Sequence, residues 1–399
     1  MRASNRPAWV EACVTQRRTL SFSIIGLLPS AHMISNHFEV AIIGGGPAGS
    51  AAAITLSRAG RRVLLIEKND RSAFKVGESL PPAITPLLRE LGVFERFESD
   101  LHLISTGNES SWGDTSLQKT TVLRQPGLQG WHVDRAQFDA MLRDVAQESS
   151  ALVREATRVT HFEREGRKWR LSLVGPDGPS TPSAEWLIDC TGRRSWFARR
   201  EKIKRRDYDS LTAFVMLFSE DRDAAQRDED SLTLVESVEE GWWYTARIPG
   251  SRRVVVYLTD IGTRSARIAR RREGYGELLA ETLHIRRRLE VYSGVEGAPL
   301  ITPSNSSRLD RMTGAGWLAA GDAAASFDPL SSQGVLTAAY SGIRAGRSLD
   351  SHLSGDFDAL RSYELKIGSL YDGYLENRVE CYRFEQRWPK SEFWRRRRN

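Results

Sequence analysis

Phe38-Glu-Val-Ala-Ile-Ile-Gly-Gly-Gly-Pro-Ala-Gly49 opens as an apolar, β-branched run and breaks abruptly into glycine. With no polar alternation, Phe38 to Ile43 predicts a strand buried on both faces. Gly44, Gly46 and Gly49 stand at G-x-G-x-x-G spacing: the first permits the tight turn, the second a close approach by a pyrophosphate, the third tight packing of helix on strand. The helix expected from Pro47 through Ala48 to about Ala59 is rich in Ala, Ile and Leu, and its amino end offers free N–H groups to phosphate. Gly60 ends it, and Arg62-Val-Leu-Leu-Ile66 predicts a second strand. Glu67, followed by Lys68, stands at that strand's carboxyl end, where a carboxylate accepts both ribose hydroxyls. Strand, helix, strand and acid in register predict a dinucleotide-binding βαβ unit. The acid disfavours a 2′-phosphate, which leaves FAD and NAD.

Later segments decide between them. Gly316-Trp-Leu-Ala-Ala-Gly-Asp322 is a short apolar strand ending in Gly321-Asp322, and Asp328-Pro-Leu-Ser-Ser-Gln-Gly334 leads into an Ala-rich helix. Asp322 can bond a ribityl or pyrophosphate group, and the amides around Gly334 and Val335 can face the N1–C2=O edge of a flavin. Trp186-Leu-Ile-Asp-Cys-Thr-Gly192 is a third apolar strand, closed by Asp189 and Gly192.

With these residues the chain resembles the FAD-dependent monooxygenases of the aromatic-hydroxylase type, within the branch that contains flavin-dependent tryptophan halogenases. Gly44, Gly46, Gly49 and Glu67, then Lys75-Val-Gly-Glu-Ser79, Trp131-His-Val-Asp-Arg135, Asp189 to Gly192, and Gly321-Asp322 with Gly334 follow the family's order over roughly residues 38 to 350. Arg387-Trp-Pro-Lys-Ser-Glu-Phe-Trp394 resembles the branch's ending, which implies a complete chain.

The resemblance implies an α/β fold. Its core is a Rossmann-like, glutathione-reductase-type FAD domain, with an inserted antiparallel-sheet substrate domain and a helical C-terminus. On this chain the FAD domain is expected as the discontinuous segments 33–100, 131–205 and 299–352. The substrate sheet takes 101–130 and 206–298, and 353–399 is a helical segment with a basic tail. Arg135 would contact the flavin, and Gly77 to Ser79, with Glu78 between them, would line the channel near the ring. FAD is the implied cofactor, with NAD(P)H or a separate flavin reductase as electron source.

The departures set the expected reaction. Tryptophan halogenases carry a Lys beyond the Gly-Glu segment and a Glu in the Pro-Leu-x-Ser position. Here Leu101 to Trp112 holds no Lys, and the second position is Ser331. The Trp-x-Trp-x-Ile-Pro signature survives only loosely, as Trp242-Trp-Tyr-Thr-Ala-Arg-Ile-Pro249. The leading expectation is hydroxylation of an electron-rich aromatic ring, a tryptophan free or protein-embedded among the candidates, through a flavin C4a-hydroperoxide. An FADH2-dependent halogenase, a reductase of the geranylgeranyl-reductase type and a flavin-bound accessory protein are the alternatives.

Trp242, Trp243 and Tyr244 either line an aromatic substrate's pocket or divide between core and surface by strand alternation. Glu78 either serves the reaction or holds its own loop; beyond it no catalytic acid or base stands out. The run 193–206, with eight Lys or Arg and one Glu, either receives the phosphates of NADPH or is a solvated loop. Arg264 to Leu283 is expected as one amphipathic helix.

Composition narrows the partners. Of the net charge of +6, residues 1–32 carry +3 and residues 383–399 carry +5, so the body between them is slightly acidic and nucleic acid is not an expected partner. No apolar run approaches the about 20 residues of a membrane span. Cys13, Cys190 and Cys381 lack paired spacing, and the seven histidines never form HxH or HxxxH, so neither a disulfide framework nor a metal site is expected. A small aromatic molecule or a peptide, with a flavin reductase, completes the expected partners. A cytoplasmic setting is expected. Residues 1–32 read as an extension, disordered or not native, before a start at Met33, although Arg17-Arg18 and the apolar Ile24 to Leu28 also fit a twin-arginine signal over 16–31.

Overall fold

Five apolar runs become parallel neighbours in one sheet. The computed structural model describes residues 36–72, 74–121, 129–221, 227–294 and 297–398, so the expectations for 1–32 and for Met33 lie outside the described residues. The strand His37–Ile43 pairs in parallel with Val63–Ile66 on one side and with Ser183–Asp189 on the other. Leu152–Arg154 extends the sheet beyond Val63–Ile66, and Trp317–Ala319 extends it beyond the end of Ser183–Asp189. An antiparallel hairpin, Arg158–Glu165 with Lys168–Gly175, continues the sheet outward from the start of Ser183–Asp189. Val40 to Ile42 and Val63 to Ile66 are almost wholly buried, as a parallel sheet covered on both faces requires.

Two helices cross over this sheet. Pro47–Arg58 starts with Gly46 as its cap and Pro47 in its first turn, where a missing N–H costs nothing. Gly334–Leu353 lies against it, and the crossing is backbone to backbone: a Cβ on Gly342 would stand 2.2 Å from the carbonyl oxygen of Ala48.

A second sheet stands in the same body, residues 36–399. Its order runs Leu211–Glu220, Arg252–Asp260, Gly241–Ile248, Leu232–Val238, Gly107–Ser111 and Gln118–Thr121. Neighbours are antiparallel except for Leu232–Val238 beside Gly107–Ser111, which run parallel. Tyr292–Gly294 and Leu300–Pro303 flank Leu211–Glu220 on its far side. One face of this sheet packs Ala213, Val215, Trp242 and Val256 with Tyr382, Phe393 and Trp394 of the carboxyl-terminal helices. The other packs Phe214, Trp243 and Tyr257 with Ala266, Tyr275 and Ile285.

Two expectations change. The single helix expected over 264–283 is broken: Arg264–Ile268 and Arg272–Ala280 fold separately and meet where a Cβ on Gly274 would come 2.4 Å from the carbonyl oxygen of Ile268. The basic tail is only partly solvated. Arg397 turns inward, fully buried, and donates to Asp260 at 2.6 Å and 3.1 Å, fastening the last helix to the second sheet. A buried carboxylate on a central strand needs such a cation.

Gly342→Ala is expected to lower the unfolding free energy in urea by about 1–3 kcal/mol, because overpacking outweighs the roughly 1 kcal/mol that alanine adds inside a helix. Gly373→Ala, in a helix where an added Cβ meets nothing within 4 Å, is expected to raise it.

Candidate functional site

The carboxyl ends of all five parallel strands open into one cavity of about 460 Å³, the place where open α/β sheets receive ligands. Gly44 and Gly46 follow the first strand into it, Glu67 and Lys68 the second, Thr191 and Gly192 the fourth, and Ala320 and Asp322 the fifth. Pro47 and Ala48, opening the first helix, complete that side.

The glycines divide by what crowds them. Gly44 has φ +109°, and a Cβ there would sit 2.2 Å from the carbonyl oxygen of Cys190. A Cβ on Gly49 would fall 1.8 Å from the carbonyl oxygen of Gly44. Gly45, unremarked in the sequence, is equally confined: its Cβ would meet Arg143 and Glu67 side chains at 2.9 Å. Gly46 and Gly334, by contrast, would carry a Cβ into open space. Gly49 and Gly321 are therefore packing positions beneath the cavity rather than part of its wall.

Glu67 is buried and fixed. It accepts the Gly45 amide at 2.7 Å and the Asn69 amide at 3.0 Å. Arg143, invisible as a candidate in the sequence, props the turn by donating to the Gly45 carbonyl at 3.1 Å and to Glu155 at 2.5 Å. Lys68 sits at the rim, its pKa lowered first by burial and then by Arg194.

Asp189 is a correction. Its carboxylate is wholly buried and spent on its own loop, accepting from Thr191 N–H and O–H at 3.0 Å and 2.6 Å and from the amides of Phe197 and Ala198 at 3.1 Å and 3.2 Å. Burial raises its pKa. It shapes the turn that puts Thr191 and Gly192 on the wall and does not reach the cavity.

The cavity continues into a larger chamber of about 990 Å³. Lys68, Arg135, Asp322, Gly334 and Val335 belong to both walls, so one continuous passage runs from the glycine turn to the second sheet. A clamp forms its waist. Arg135 donates to the carbonyls of Val76 and Gly77 at 2.8 Å and 3.2 Å and to Asp139 at 3.1 Å, while Lys75 reaches Asp139 at 2.8 Å. Asp139, one helical turn beyond Arg135, was not singled out in the sequence. An i,i+4 acid was the available signal.

Glu78, Ser79, Trp242 and Tyr244 all line the chamber. Glu78 is only 4% exposed, and its carboxylate accepts the Gly77 amide at 3.0 Å and a hydrogen bond from the Tyr244 hydroxyl. Burial raises the pKa of both groups, Tyr244 well above its ordinary value. Ser79 shares a hydrogen bond with Thr233 at 3.3 Å, and Thr233 meets Nε2 of buried His132 at 2.9 Å. Desolvation lowers the His132 pKa to about 4, so this ring is neutral at physiological pH.

Trp243 is the second correction. Strand alternation turns it to the opposite face, where it stacks on Tyr257 with centroids 4.6 Å apart. Trp242 keeps its place through the carboxyl-terminal helix: its Nε1–H donates to the Tyr382 hydroxyl at 3.0 Å, which in turn donates to Asp328 at 2.8 Å. Asp328 begins the loop to Gly334, and Ser331 merely donates to the Asp328 carbonyl at 2.9 Å.

Among the described residues no cluster of His, Cys, Asp or Glu could hold a metal, and no helix is long and apolar enough to cross a membrane. An elongated dinucleotide fits the passage. The free amides of the first helix would face its diphosphate where Gly46 leaves room, Glu67 would face the ribose, and the open backbone at Gly334 and Val335 would face the flavin.

Comparison with known proteins agrees. A family model described as "FAD binding domain" matches residues 37–366. The chain is 29% identical to the putative FAD-dependent oxidoreductase LodB of Marinomonas mediterranea over 90% of this chain and 96% of that one. It is 26% identical to the flavin-dependent halogenase armH3 of Armillaria mellea over 84% and 72%. Among solved structures, the flavin-dependent halogenase CmlS superimposes with a TM-score of 0.79 at 26% identity, covering 92% of this chain and 68% of that one. The peptidyl tryptophan dihydroxylase QhpG superimposes at 0.72 with 22% identity, over 91% and 79%, a likeness of fold.

Gly46→Ala is expected to leave the melting temperature of the apoprotein unchanged and to weaken FAD binding, read by flavin fluorescence, by roughly tenfold or more, about 1.4 kcal/mol. Glu78 supplies a pH test. Its folded-state pKa is raised, so its contribution to stability is full below the ordinary 4.5 and is lost as pH climbs through the raised value. Glu78→Gln escapes that loss. The stability of the variant relative to wild type, from urea unfolding, is expected to rise as pH climbs from the ordinary 4.5 through the raised value.

Proposed function

This chain belongs to the family built on the FAD binding domain, and from that premise we propose that it oxygenates an electron-rich aromatic ring, a tryptophan side chain within a polypeptide being the favoured class. It is an FAD-dependent oxidoreductase by family. The observation that carries the reading is the composition of the chamber wall. Trp242, Tyr244, Val256 and Leu258 form an apolar, aromatic face, and the lysines that line the chamber, Lys68 and Lys75, both stand at its nucleotide end. Lys75 is moreover held by Asp139. Hydroxylation requires a shielded aromatic pocket beside the cofactor and no ammonium group beside the substrate.

Bound FAD, once reduced, supplies the activation of O₂. The chain's own residues do the rest. The first helix and Glu67 anchor the nucleotide end, and the Arg135–Asp139–Lys75 clamp fixes the loop that carries Glu78. Trp242 and Tyr244 orient a ring and exclude water from it. The Glu78–Tyr244 pair is the group placed to take the proton that a ring carbon releases on substitution, because Glu78 lines the chamber and burial raises its pKa, which makes it a stronger base than an ordinary carboxylate. A polypeptide-borne ring is favoured by a fold shared with a dihydroxylase of peptidyl tryptophan.

Halogenation is the second reading, supported by the halogenases among the relatives. The two divide on one assay: enzyme with FAD, a flavin reductase or NADPH, O₂, and tryptophan-containing peptides or indoles, with and without bromide. The expected product gains oxygen from ¹⁸O₂ irrespective of bromide. A brominated product would overturn the assignment. Glu78→Gln is expected to lower kcat by roughly 10²-fold or more while leaving the flavin bound.

A further inference from the structure

We propose that the outer edge of the strand Leu300–Pro303 is a docking site for an extended, acidic polypeptide segment. The segment adds to the second sheet as one more strand and delivers its aromatic side chain into the chamber. This rests on the chamber being the oxygenation site and names how its substrate is held.

The strand is bonded on one side only. Leu300 to Pro303 pair with Val215 to Thr212, and among the described residues no strand covers the opposite side. Consecutive residues from Leu300 to Asn305 all line the chamber. A strand that offered the chamber a face would contribute every second residue. An unbroken series means that the edge itself, with its outward N–H and C=O groups, borders the opening.

Bare edges invite a further strand, and folded proteins usually blunt them with lysine, proline or a bulge. Here only Pro303, at the end, does so, while Leu300 and Ile301 are 46% and 37% exposed. Phe74, also on the chamber wall, is 40% exposed. These are the ingredients of recognition by strand addition: main-chain bonds for affinity and apolar contacts for alternate side chains.

Charge selects the occupant. Arg194 and Arg199 line the same chamber and form no ion pair among the described residues. Of the carboxylates on the wall, Glu78 is buried, Asp322 lies 3.4 Å from Arg193, and Asp207 alone is exposed without a close ion pair among the described residues, accepting from Asn305 at 2.8 Å with Arg205 as the cation it feels. The rim is therefore positive and suits Asp or Glu beside the reacting ring. A chamber left open along this edge would admit water, and an added strand closes it with the substrate's own backbone.

The test uses the full-length protein loaded with FAD and a displayed peptide pool with one fixed tryptophan and degenerate flanks. Selection is expected to enrich Asp and Glu around the tryptophan. N-methylation of alternate residues in the best binder is expected to weaken it by roughly tenfold or more in one register and little in the other. Arg194→Glu with Arg199→Glu is expected to abolish the acidic preference. Failure to enrich any peptide, or binding indifferent to N-methylation in both registers, would overturn the proposal. If free indoles gain oxygen while no peptide binds, docking falls and oxygenation stands. If peptides bind with the N-methyl signature but their rings gain no oxygen, docking stands and the oxygenase reading falls.

Discussion

Two carbonyl oxygens leave no room for a side chain beneath the first turn. The oxygen of Cys190 lies where a Cβ of Gly44 would be, and the oxygen of Gly44 lies where a Cβ of Gly49 would be. This double contact presses the first strand, the first helix and the strand Ser183–Asp189 into one junction. The amide-rich helix start, the fixed Glu67 and the Thr191–Gly192 turn all take their positions from it. Hydrophobic burial stabilises the sheet as a whole, but it is this contact that decides where the sheet opens.

From that junction outward, legibility in the sequence falls with distance along the chain between partners. The glycine turn and Glu67 were readable because strand, helix and strand follow one another, and local spacing carries the geometry. The fold class followed, and so did the pairing of a nucleotide-binding layer with an antiparallel wall. Asp189 was misread because its motif places it at a strand end without saying where its carboxylate points. A buried acid takes the nearest donors, and four lay within nine residues.

The wall of the chamber shows a second limit. Alternation predicts that Trp242 and Tyr244 share a face while Trp243 takes the other, yet it cannot say which face meets the ligand. That is decided by the carboxyl-terminal helices, whose Tyr382 binds Trp242 from more than a hundred residues away. Asp139 and Arg143 were missed for a related reason. Both sit on an ordinary amphipathic helix, and only the docking of that helix against the Val76–Gly77 loop and the Gly45 turn gives them partners.

The hydrogen-bonded series from Trp242 through Tyr382 to Asp328 joins the two halves of the reaction space. One end is an indole against which a substrate would rest; the other begins the loop that reaches Gly334. On the proposed function, selectivity and prosthetic-group retention in this molecule are inherited together. A lineage that drifts toward a new aromatic partner by altering its far helix must re-solve the seating of its own coloured group at the same time.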